Sequence, residues 1–350
     1  MTNDPAPQSL HTTPAILIVL MGSLGDVARA LPLASLLAQH RPGARVSWLV
    51  DWRWRELLAD HPAIDRLITF PRERTPRAFA RLISEMRAER LDLTLDLQRH
   101  LKSGLCSFVS GAPRRVGFHP ADAREGNPHF NTEHIPRRPP HLSKLRHYLV
   151  FAEHLGLPVS ESLDFGLARF ADPRLLPEPV RGRGVGFVTV VMGSSWRSKD
   201  WTPDGYRGLV SLIKHETPLD VVLLGDGSQR DLAERVSPAG VDSRVVNLAG
   251  RTTLSELCAT LAAARAAVGP DSGPGHLAAA LGTPAVTLIG PTLVERVAPY
   301  GCEHLAVRSP VDCAPCLRRT CKRRAGRCMD AITAGMVWQA LAPLVRQESA

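Results

Sequence analysis

Short apolar runs alternate with amphipathic helical patterns along almost the whole chain, and the alternation falls into two series. The first run, Ala15–Leu20 (AILIVL), is continuously apolar, as in a strand buried on both faces. The first series predicts strands at 15–20, 45–50, 66–70, 91–97 and 114–118, and helices at 27–39, 52–58, 76–90, 101–109 and 147–155. Strands that alternate with helices predict βαβ units and a parallel sheet.

A second series follows the stretch 171–184, which is rich in Pro, Arg and Gly and predicts a linker. Its predicted strands are 185–192, 219–225, 244–248, 266–269 and 284–290, and its predicted helices are 203–215, 228–236, 253–264, 275–281 and 330–347. Residues 119–146 read as irregular. We therefore expect two doubly wound α/β domains, 1–170 and 171–330, that face each other across a cleft. Ligands in such sheets bind outside the carboxyl ends of the strands.

Composition narrows the class of protein. Hydrophobic residues make up 44% of the 350, which excludes a disordered or fibrous chain. No apolar run reaches the ~18 residues that a membrane span needs, and the odd count of 7 cysteines fits a reducing compartment. These features predict a soluble cytoplasmic protein. The net charge of +9 favours an anionic partner, but aromatic residues total only 5% and no basic run is interleaved with them, so nucleic acid is not expected.

Three loops that follow predicted strands carry candidate chemistry. In Met21–Asp26 (MGSLGD), two glycines allow a tight turn and Asp26 falls at a helix start, where it is either a helix cap or a reactive carboxylate. The loop lacks the spacing of a dinucleotide fingerprint. The loop 192–201 (MGSSWRSKDW) offers Ser194, Ser195 and Lys199, one of only five lysines in the chain. A compact ammonium binds phosphate well.

The third loop, 268–276 (VGPDSGPGH), opens a helix rich in small residues. Gly273 and Gly275 leave room for a ligand against the backbone, and the free amides of a helix N-terminus favour an anion. Asp271 either holds a sugar hydroxyl or caps the helix. A purely structural turn is the competing interpretation.

Taken together, MGSLGD, SSWRSKDW and DSGPGHLAAALGTPAVTLIGPT resemble the heptosyltransferases of glycosyltransferase family nine, over about residues 16–333. The resemblance implies a GT-B fold of two Rossmann-like domains, with a C-terminal helix, 331–350, that crosses back to the first domain. It implies an ADP-L-glycero-D-manno-heptose donor, an inner-core lipopolysaccharide acceptor, inversion at the donor anomeric centre, and no cofactor or bound catalytic metal.

The resemblance also assigns residue roles. Asp26 matches the catalytic base, and Lys199 matches the lysine that contacts the donor phosphate. Further donor-binding positions are Ser194, Ser195, Asp271, Ser272, Gly273 and His276, and Asp226, in the segment 224–227 (LGDG), matches the ribose ligand. Because the acceptor carries the carboxylates of Kdo and the phosphates of lipid A, basic residues of the first domain are expected to bind it. The candidates are Arg53, Arg55, Lys102 and Arg124, and the segments of the last two resemble the type that acts on Kdo.

The segment Asp312–Asp330, here called the cysteine-rich segment, holds four of the cysteines and six basic residues. Cys313, Cys316, Cys321 and Cys328 suit zinc by residue type, although their spacing differs from paired CxxC motifs. The basic residues instead suit the anionic inner face of a membrane. We expect no metal, and peripheral membrane association that weakens when Arg318, Arg319, Arg323 and Arg324 are neutralised.

Two other functions stay open at this point. One is a related transferase that uses another nucleotide-sugar. For a heptosyltransferase, two acceptors stay open: Kdo, or a heptose that is already attached. The other, from a different class, is a module that binds a nucleotide-sugar without catalysis. A base at Asp26 is of little use to a simple binder, which favours an enzyme.

Overall fold

The computed structural model describes residues 13–184, 186–238, 240, 242–323 and 327–346. The chain divides between Gly166 and Leu167 into two compact units. The predicted strand at 185–192 begins on Val185, which lies outside the described residues.

The first unit contains one parallel sheet. Its strands are β1 (Ala15–Val19), β2 (Arg45–Asp51), β3 (Arg66–Phe70), β4 (Leu93–Asp96), β5 (Arg114–Gly117) and β6 (Glu133–His134). Its helices are α1 (Leu24–His40), α2 (Arg55–Leu58), α3 (Pro76–Ala88), α4 (Leu101–Val109) and α5 (Lys144–His154). The strand order is β3-β2-β1-β4-β5-β6.

The second unit repeats this arrangement. Its strands are β7 (Phe187–Val191), β8 (Asp220–Leu224), β9 (Val245–Asn247), β10 (Ala266–Pro270), β11 (Ala285–Ile289) and β12 (Ala306–Arg308). Its helices are α6 (Pro203–Glu216), α7 (Arg230–Val236), α8 (Leu254–Ala263), α9 (Gly273–Ala280), α10 (Val294–Val297) and α11 (Ala334–Val345). The order β12-β11-β10-β7-β8-β9 is the same Rossmann order.

This order fixes where each unit can hold a ligand. Strand β1 pairs in parallel with β2 on one side and β4 on the other, and β7 pairs likewise with β8 and β10. The order reverses between β1 and β4, and again between β7 and β10. A crevice forms at such a switch point, outside the carboxyl ends of the strands. All three loops predicted to carry chemistry follow β1, β7 or β10, and therefore lie at these points.

Burial and capping explain why the elements form where they do. Strands β1, β7, β8, β10 and β11 are buried at every position, as their continuous apolar runs predict. Ser and Thr side chains cap the starts of several helices, among them α1, α3, α5, α6, α8 and α11. Each such cap satisfies an amide of the first helical turn, at a value of about 1 kcal/mol.

Three elements lie where the sequence interpretation had none. The segment 119–146, predicted to be irregular, contains β6, and the stretch between the predicted strand 284–290 and the predicted helix 330–347 contains β12 and α10. Both strands are short and lie at sheet edges, with 2 and 3 residues respectively, so they carry little of the apolar periodicity that identifies a strand. Helix α5 also begins earlier than predicted, at Lys144, because Ser143 caps it.

The C-terminal helix α11 packs against α6 and the strands β10, β11 and β12 of the second unit. The Trp201 indole anchors the segment before it, by donating to the carbonyl of Ile332 at 2.8 Å. Its return to the first unit stays a prediction. Among the described residues, no helix is both long enough and apolar enough to cross a membrane.

Candidate functional site

Asp26 lies in the first turn of α1, directly after the loop that follows β1. It does not cap the helix: Ser23 does, and its hydroxyl accepts from the Asp26 amide at 3.3 Å. The Ser23 hydroxyl in turn donates to Asp26 Oδ2 at 2.8 Å. The prediction that Asp26 caps the helix is therefore wrong. The Asp26 carboxylate is available to bind a cation or a proton.

Two cations hold the other carboxylate oxygen. Asp26 Oδ1 lies 2.6 Å from Arg29 Nη2 and 3.2 Å from Lys144 Nζ. Burial alone would raise the pKa of Asp26, but Arg29, Lys144 and the Ser23 hydrogen bond together hold this pKa well below its ordinary value. Burial and the neighbouring Asp26 raise the pKa of Tyr148, which keeps its hydroxyl protonated. Asp26 is thus an ionised carboxylate at neutral pH.

Neighbouring loops of the first unit converge on the same point. Gln98, which follows β4, accepts from the Met21 amide at 3.0 Å, and the Trp54 indole donates to the Gly22 carbonyl at 2.6 Å. A Cβ at Gly22 would lie 3.4 Å from the Gln98 amide and 3.5 Å from Asp26. These are ordinary contact distances, and the loop therefore lies directly against both side chains.

Among the predicted acceptor ligands, Lys102 and Arg53 belong to one basic cluster. Lys102 Nζ lies 3.5 Å from the centroid of the Phe70 ring. Burial lowers the pKa of Lys102, and the positive charges of Arg74 and Arg53 lower it further. Arg53 is paired with Asp51, with Nε to Oδ1 at 2.9 Å, so part of its charge is already neutralised. Arg55 is exposed at the start of α2.

The segment that carries Arg124 is bound to the start of α4. Its backbone amide donates to the Arg99 carbonyl at 2.8 Å, and Glu125 accepts from the Leu101 amide at 3.2 Å. The Asn127 amide reaches the buried Asp96 carboxylate at 2.6 Å. Lys102 lies in the first turn of α4, Arg124 lies in the segment bound to that helix start, and both side chains are exposed.

In the second unit, Lys199 and Asp271 form a buried ion pair. Lys199 Nζ lies 2.7 Å from Asp271 Oδ2 and donates to the Asp271 carbonyl at 3.3 Å. Their side chains are only 11% and 7% exposed. The pair joins the loop after β7 to the loop after β10, at the switch point of this sheet. Lys199 is therefore a buried, paired lysine and not a solvated surface charge.

Asp271 neither caps α9 nor has a free carboxylate. The Thr292 hydroxyl donates to its Oδ2 at 3.2 Å, and His276 Nε2 lies 3.8 Å from its Oδ1. Burial would raise the pKa of Asp271, but His276 and Lys199 hold it well below the ordinary value. Asp271 thus fixes the positions of Lys199 and His276.

The start of α9 is left open to an anion. Ser272 occupies the N-cap position, but its side chain accepts no capping hydrogen bond, and its buried Oγ has no partner among the described residues. Gly273 begins the helix, and a Cβ at Gly275 would meet nothing closer than 3.9 Å. The unsatisfied amides of such a start, with the helix dipole behind them, attract negative charge.

The remaining predicted donor ligands, Ser194, Ser195 and Asp226, lie in three different local environments. The Ser194 hydroxyl donates to the Trp196 carbonyl at 3.0 Å and accepts from the Trp196 amide at 3.1 Å, so it holds the loop in shape. Ser195 is exposed. Asp226 caps a single helical turn, with its Oδ1 accepting from the Ser228 amide at 2.7 Å.

The four cysteines of the cysteine-rich segment are free thiols. Burial raises the pKa of Cys328, and the nearby Cys316, Cys321 and Cys313 raise it further, so the four lie in one neighbourhood. In the part of the chain that the structure describes, no group of three or more His, Cys, Asp or Glu side chains is arranged to hold a metal ion. The zinc alternative stays a hypothesis.

Sequence reasoning missed several residues of these sites, namely Arg29, Lys144 and Tyr148 around Asp26, Thr292 beside Asp271, and Arg74 near Lys102. Lys144 could have been found, because the scarcity of lysine that singled out Lys199 applies equally to it. Arg29 stands three positions after Asp26 on a predicted helix, where ion pairs are common. Thr292 and Tyr148 carry no such signal.

The repeated Rossmann order places the protein among doubly wound α/β proteins that bind a ligand at the switch point of each sheet. Residues 79–325 match the model of glycosyltransferase family 9 (heptosyltransferase). The chain is 30% identical over 321 residues to lipopolysaccharide heptosyltransferase 1 of Pseudomonas aeruginosa, covering 87% of each. It is 27% identical to the lipopolysaccharide core heptosyltransferase OpsX of Haemophilus influenzae, covering 84% of this chain and 82% of that one.

Solved structures agree in fold. The heptosyltransferase WaaC of E. coli with ADP has a TM-score of 0.74 and 24% identity, covering 94% of this chain and 99% of that one. The E. coli ADP-heptose heptosyltransferase II has a TM-score of 0.77 and 21% identity, covering 96% and 100%. The chain belongs to glycosyltransferase family 9, the heptosyltransferase family, and is a transferase with the GT-B fold.

Proposed function

We propose that the protein transfers L-glycero-D-manno-heptose from ADP-heptose to the Kdo of the lipopolysaccharide inner core. The names of the two bacterial relatives support the acceptor class. Structural neighbours bound to ADP and to ADP-2-deoxy-2-fluoro heptose support the donor. The observation that carries the proposal is the buried Lys199 at the β7/β10 switch point, next to the open start of α9.

Lys199, Ser272 and the start of α9 bind the donor diphosphate. In the ion pair with Asp271, Lys199 is already held in place, so little reorganisation is needed when charge develops on the leaving group. Preorganised charge of this kind is a large source of catalysis. Lys199 and the helix start stabilise the diphosphate as the bond from the anomeric carbon to its oxygen breaks, and the electron pair of that bond stays with ADP.

Asp26 acts as the base. The acceptor hydroxyl attacks the anomeric carbon from the face opposite ADP, and its proton passes to Asp26 as the new C–O bond forms. Because its pKa is low, Asp26 is a weak base that accepts the proton late, when the attacking oxygen has become acidic in the oxocarbenium-like transition state. Arg29 and Lys144 keep the carboxylate ionised and ready before that moment.

The acceptor carboxylates and phosphates bind the exposed Lys102 and Arg124 at the start of α4. Arg53 contributes less, since Asp51 already neutralises part of its charge. Asp226, although it caps a helical turn, retains an exposed carboxylate for the donor ribose.

The enzyme works in the cytoplasm and visits the anionic inner membrane surface that holds the lipid acceptor. In the cysteine-rich segment, Arg318, Lys322 and Arg323 are exposed and can face this surface. Each contributes about 1 kcal/mol near an anionic membrane, so binding is weak and salt-sensitive. Arg324 lies outside the described residues. Arg319 lies against Trp196, in the loop after β7.

Mass spectrometry of acceptor lipid, after incubation with a panel of nucleotide-sugars, tests the proposal. The expected product is acceptor enlarged by one heptose, from ADP-heptose only, and with Kdo-terminated but not heptose-terminated acceptor. Transfer from another nucleotide-sugar would establish the related transferase instead. Binding of ADP-heptose without any transfer would establish the non-catalytic module.

A further inference from the structure

The cysteine-rich segment is attached by its backbone to the loops of the donor site. The Leu317 amide donates to the carbonyl of Pro291, in the loop after β11, at 2.7 Å. The Ser198 hydroxyl donates to the Arg318 carbonyl at 2.8 Å, and the Ser198 amide reaches the Arg319 carbonyl at 3.4 Å. Ser198 directly precedes Lys199, and Thr292, the partner of Asp271, directly follows Pro291. The segment is therefore joined to both loops that position the Lys199–Asp271 pair.

The Arg319 side chain contacts the same aromatic ring as Lys199. The guanidinium carbon of Arg319 lies 5.1 Å from the centroid of the Trp196 ring, and Lys199 Nζ lies 4.5 Å from the same centroid. Both distances are within the range of a cation–π contact. Two positive charges thus gather on one indole ring, although they repel each other. Such an arrangement suits an anion that binds both cations.

The charges of the two residues are not balanced alike. Lys199 is paired with the buried Asp271. Arg319 is exposed, and within the described residues its guanidinium has no carboxylate partner. A donor diphosphate carries two ionised phosphates, whereas the Lys199–Asp271 pair is neutral as a whole. A second, uncompensated cation is therefore needed to match the diphosphate, and Arg319 is positioned to supply it.

We propose that Arg319 is a second phosphate-binding residue of the donor site, which contacts the phosphate that leaves the sugar. This inference rests on the proposed function, because it takes the donor to be a nucleoside diphosphate sugar. The planar guanidinium of Arg319 forms paired hydrogen bonds to phosphate oxygens, which a lysine cannot do. As the bond from the sugar to the phosphate oxygen breaks, Arg319 and Lys199 share the charge left on that oxygen. The cysteine-rich segment then contributes to the donor site as well as to the surface that faces the membrane.

Calorimetry of ADP and AMP binding tests this role, with Arg319→Ala, Arg319→Lys and, as a matched control in the same segment, Arg323→Ala. A charge-assisted hydrogen bond is worth about 1.5–3 kcal/mol, so Arg319→Ala should weaken ADP binding by roughly tenfold to over a hundredfold. AMP binding, which lacks the second phosphate, should change by less than about threefold. Arg319→Lys should recover part of the loss, and Arg323→Ala should match the wild type.

Each other outcome overturns a definite statement. If Arg319→Ala binds ADP as tightly as the wild type does, Arg319 makes no phosphate contact. Equal losses for ADP and AMP would mean that the substitution disturbs the loop through Trp196, and direct contact would be refuted. If the wild-type protein binds neither nucleotide, the proposed function itself fails. Wild-type ADP binding that depends on Lys199 but not on Arg319 would refute only the present inference.

Discussion

The buried pair between Lys199 and Asp271 leads to a prediction with two opposite parts. In Lys199→Met, the donor phosphate loses a charge-assisted contact worth about 1.5–3 kcal/mol. The substitution also leaves Asp271, whose side chain is 7% exposed, without its cation. Breaking a buried pair from one side costs about 3–5 kcal/mol of stability, and the remaining carboxylate repels the diphosphate. We therefore expect ADP affinity to fall by a hundredfold or more, and the second unit to melt earlier.

The double variant Lys199→Met with Asp271→Asn removes both charges. The repulsion and the uncompensated buried carboxylate disappear, while the Asn side chain still accepts the hydrogen bond from Thr292. Only the lost phosphate contact should then count, so the double variant should bind ADP more tightly than Lys199→Met does, by about tenfold, and should recover most of its thermal stability. Lys199→Met alone should also lower kcat, because charge on the leaving diphosphate grows in the transition state.

Isothermal titration with ADP and thermal melting measure the two effects. Lys214→Met serves as the matched control, because Lys214 also has a carboxylate partner, Asp242, and it lies in the last turn of α6. It should leave ADP affinity unchanged. If the double variant bound ADP no better than Lys199→Met, Asp271 would be a ligand of the donor in its own right, and not the residue that positions Lys199.

Three further predictions concern the base, the acceptor and the membrane. Lys144→Met removes one of the cations that hold the pKa of Asp26 in the folded protein below its ordinary value of 3.8. The ionised carboxylate stabilises the fold above pH 3.8, and this stabilisation is lost as the pH falls through the lowered pKa. The variant should therefore lose activity and stability at a higher pH on the acid side, and identical pH profiles of kcat/KM would contradict the pairing. Lys102→Ala should raise acceptor KM about tenfold with little change in kcat, while Arg81→Ala, on the exposed face of α3, should change neither. Neutralising Arg318 and Arg323 should weaken sedimentation with anionic vesicles at low salt without changing turnover of a short soluble acceptor; vesicle binding that resists high salt would refute electrostatic association.

Most of the fold follows from the sequence because its information is local and periodic. Strands such as β3 (Arg66–Phe70) lie at the predicted residues, and the capped helices begin within a few residues of prediction. The edge strands β6 and β12 could not be predicted, since pairing with a neighbouring strand, and not their own side chains, makes them strands. Gly104 shows the same dependence on long-range packing. Its Cβ would lie 2.9 Å from the Asn127 amide, so the segment carrying Arg124 can reach α4 only because that helix has a glycine there.

The site was predictable to the extent that a residue type stands out at a strand end. Asp26, Lys199 and Asp271 follow strands, and the structure places each of them at a switch point. Their partners are a different matter. Lys144 reaches Asp26 from α5, which is distant in sequence, and Thr292 reaches Asp271 from the loop after β11. The pairing of Asp271 with Lys199 also could not be predicted, because the two residues lie in loops that are far apart in sequence. It shows that Asp271 does not cap α9 but positions a cation, while its role as a donor ligand stays a prediction.

The central claim, that Asp26 is the base of a glycosyl transfer, is tested most directly by Asp26→Asn, in which kcat for heptose transfer and the Kd for ADP are measured on the same preparation. An amide keeps the shape of the side chain: its one oxygen still accepts from Arg29, and its NH2 group donates to the Ser23 hydroxyl. It cannot take up the acceptor proton. Asp60→Asn is the matched control, because Asp60 is exposed and asparagine tolerates its left-handed backbone, with φ of 56°. The account predicts that Asp26→Asn lowers kcat by ~10²–10⁴-fold while ADP binds as in the wild type. A kcat within a few-fold of the wild type would show that Asp26 only holds Arg29 and Lys144 in place, and the proposed mechanism would be wrong.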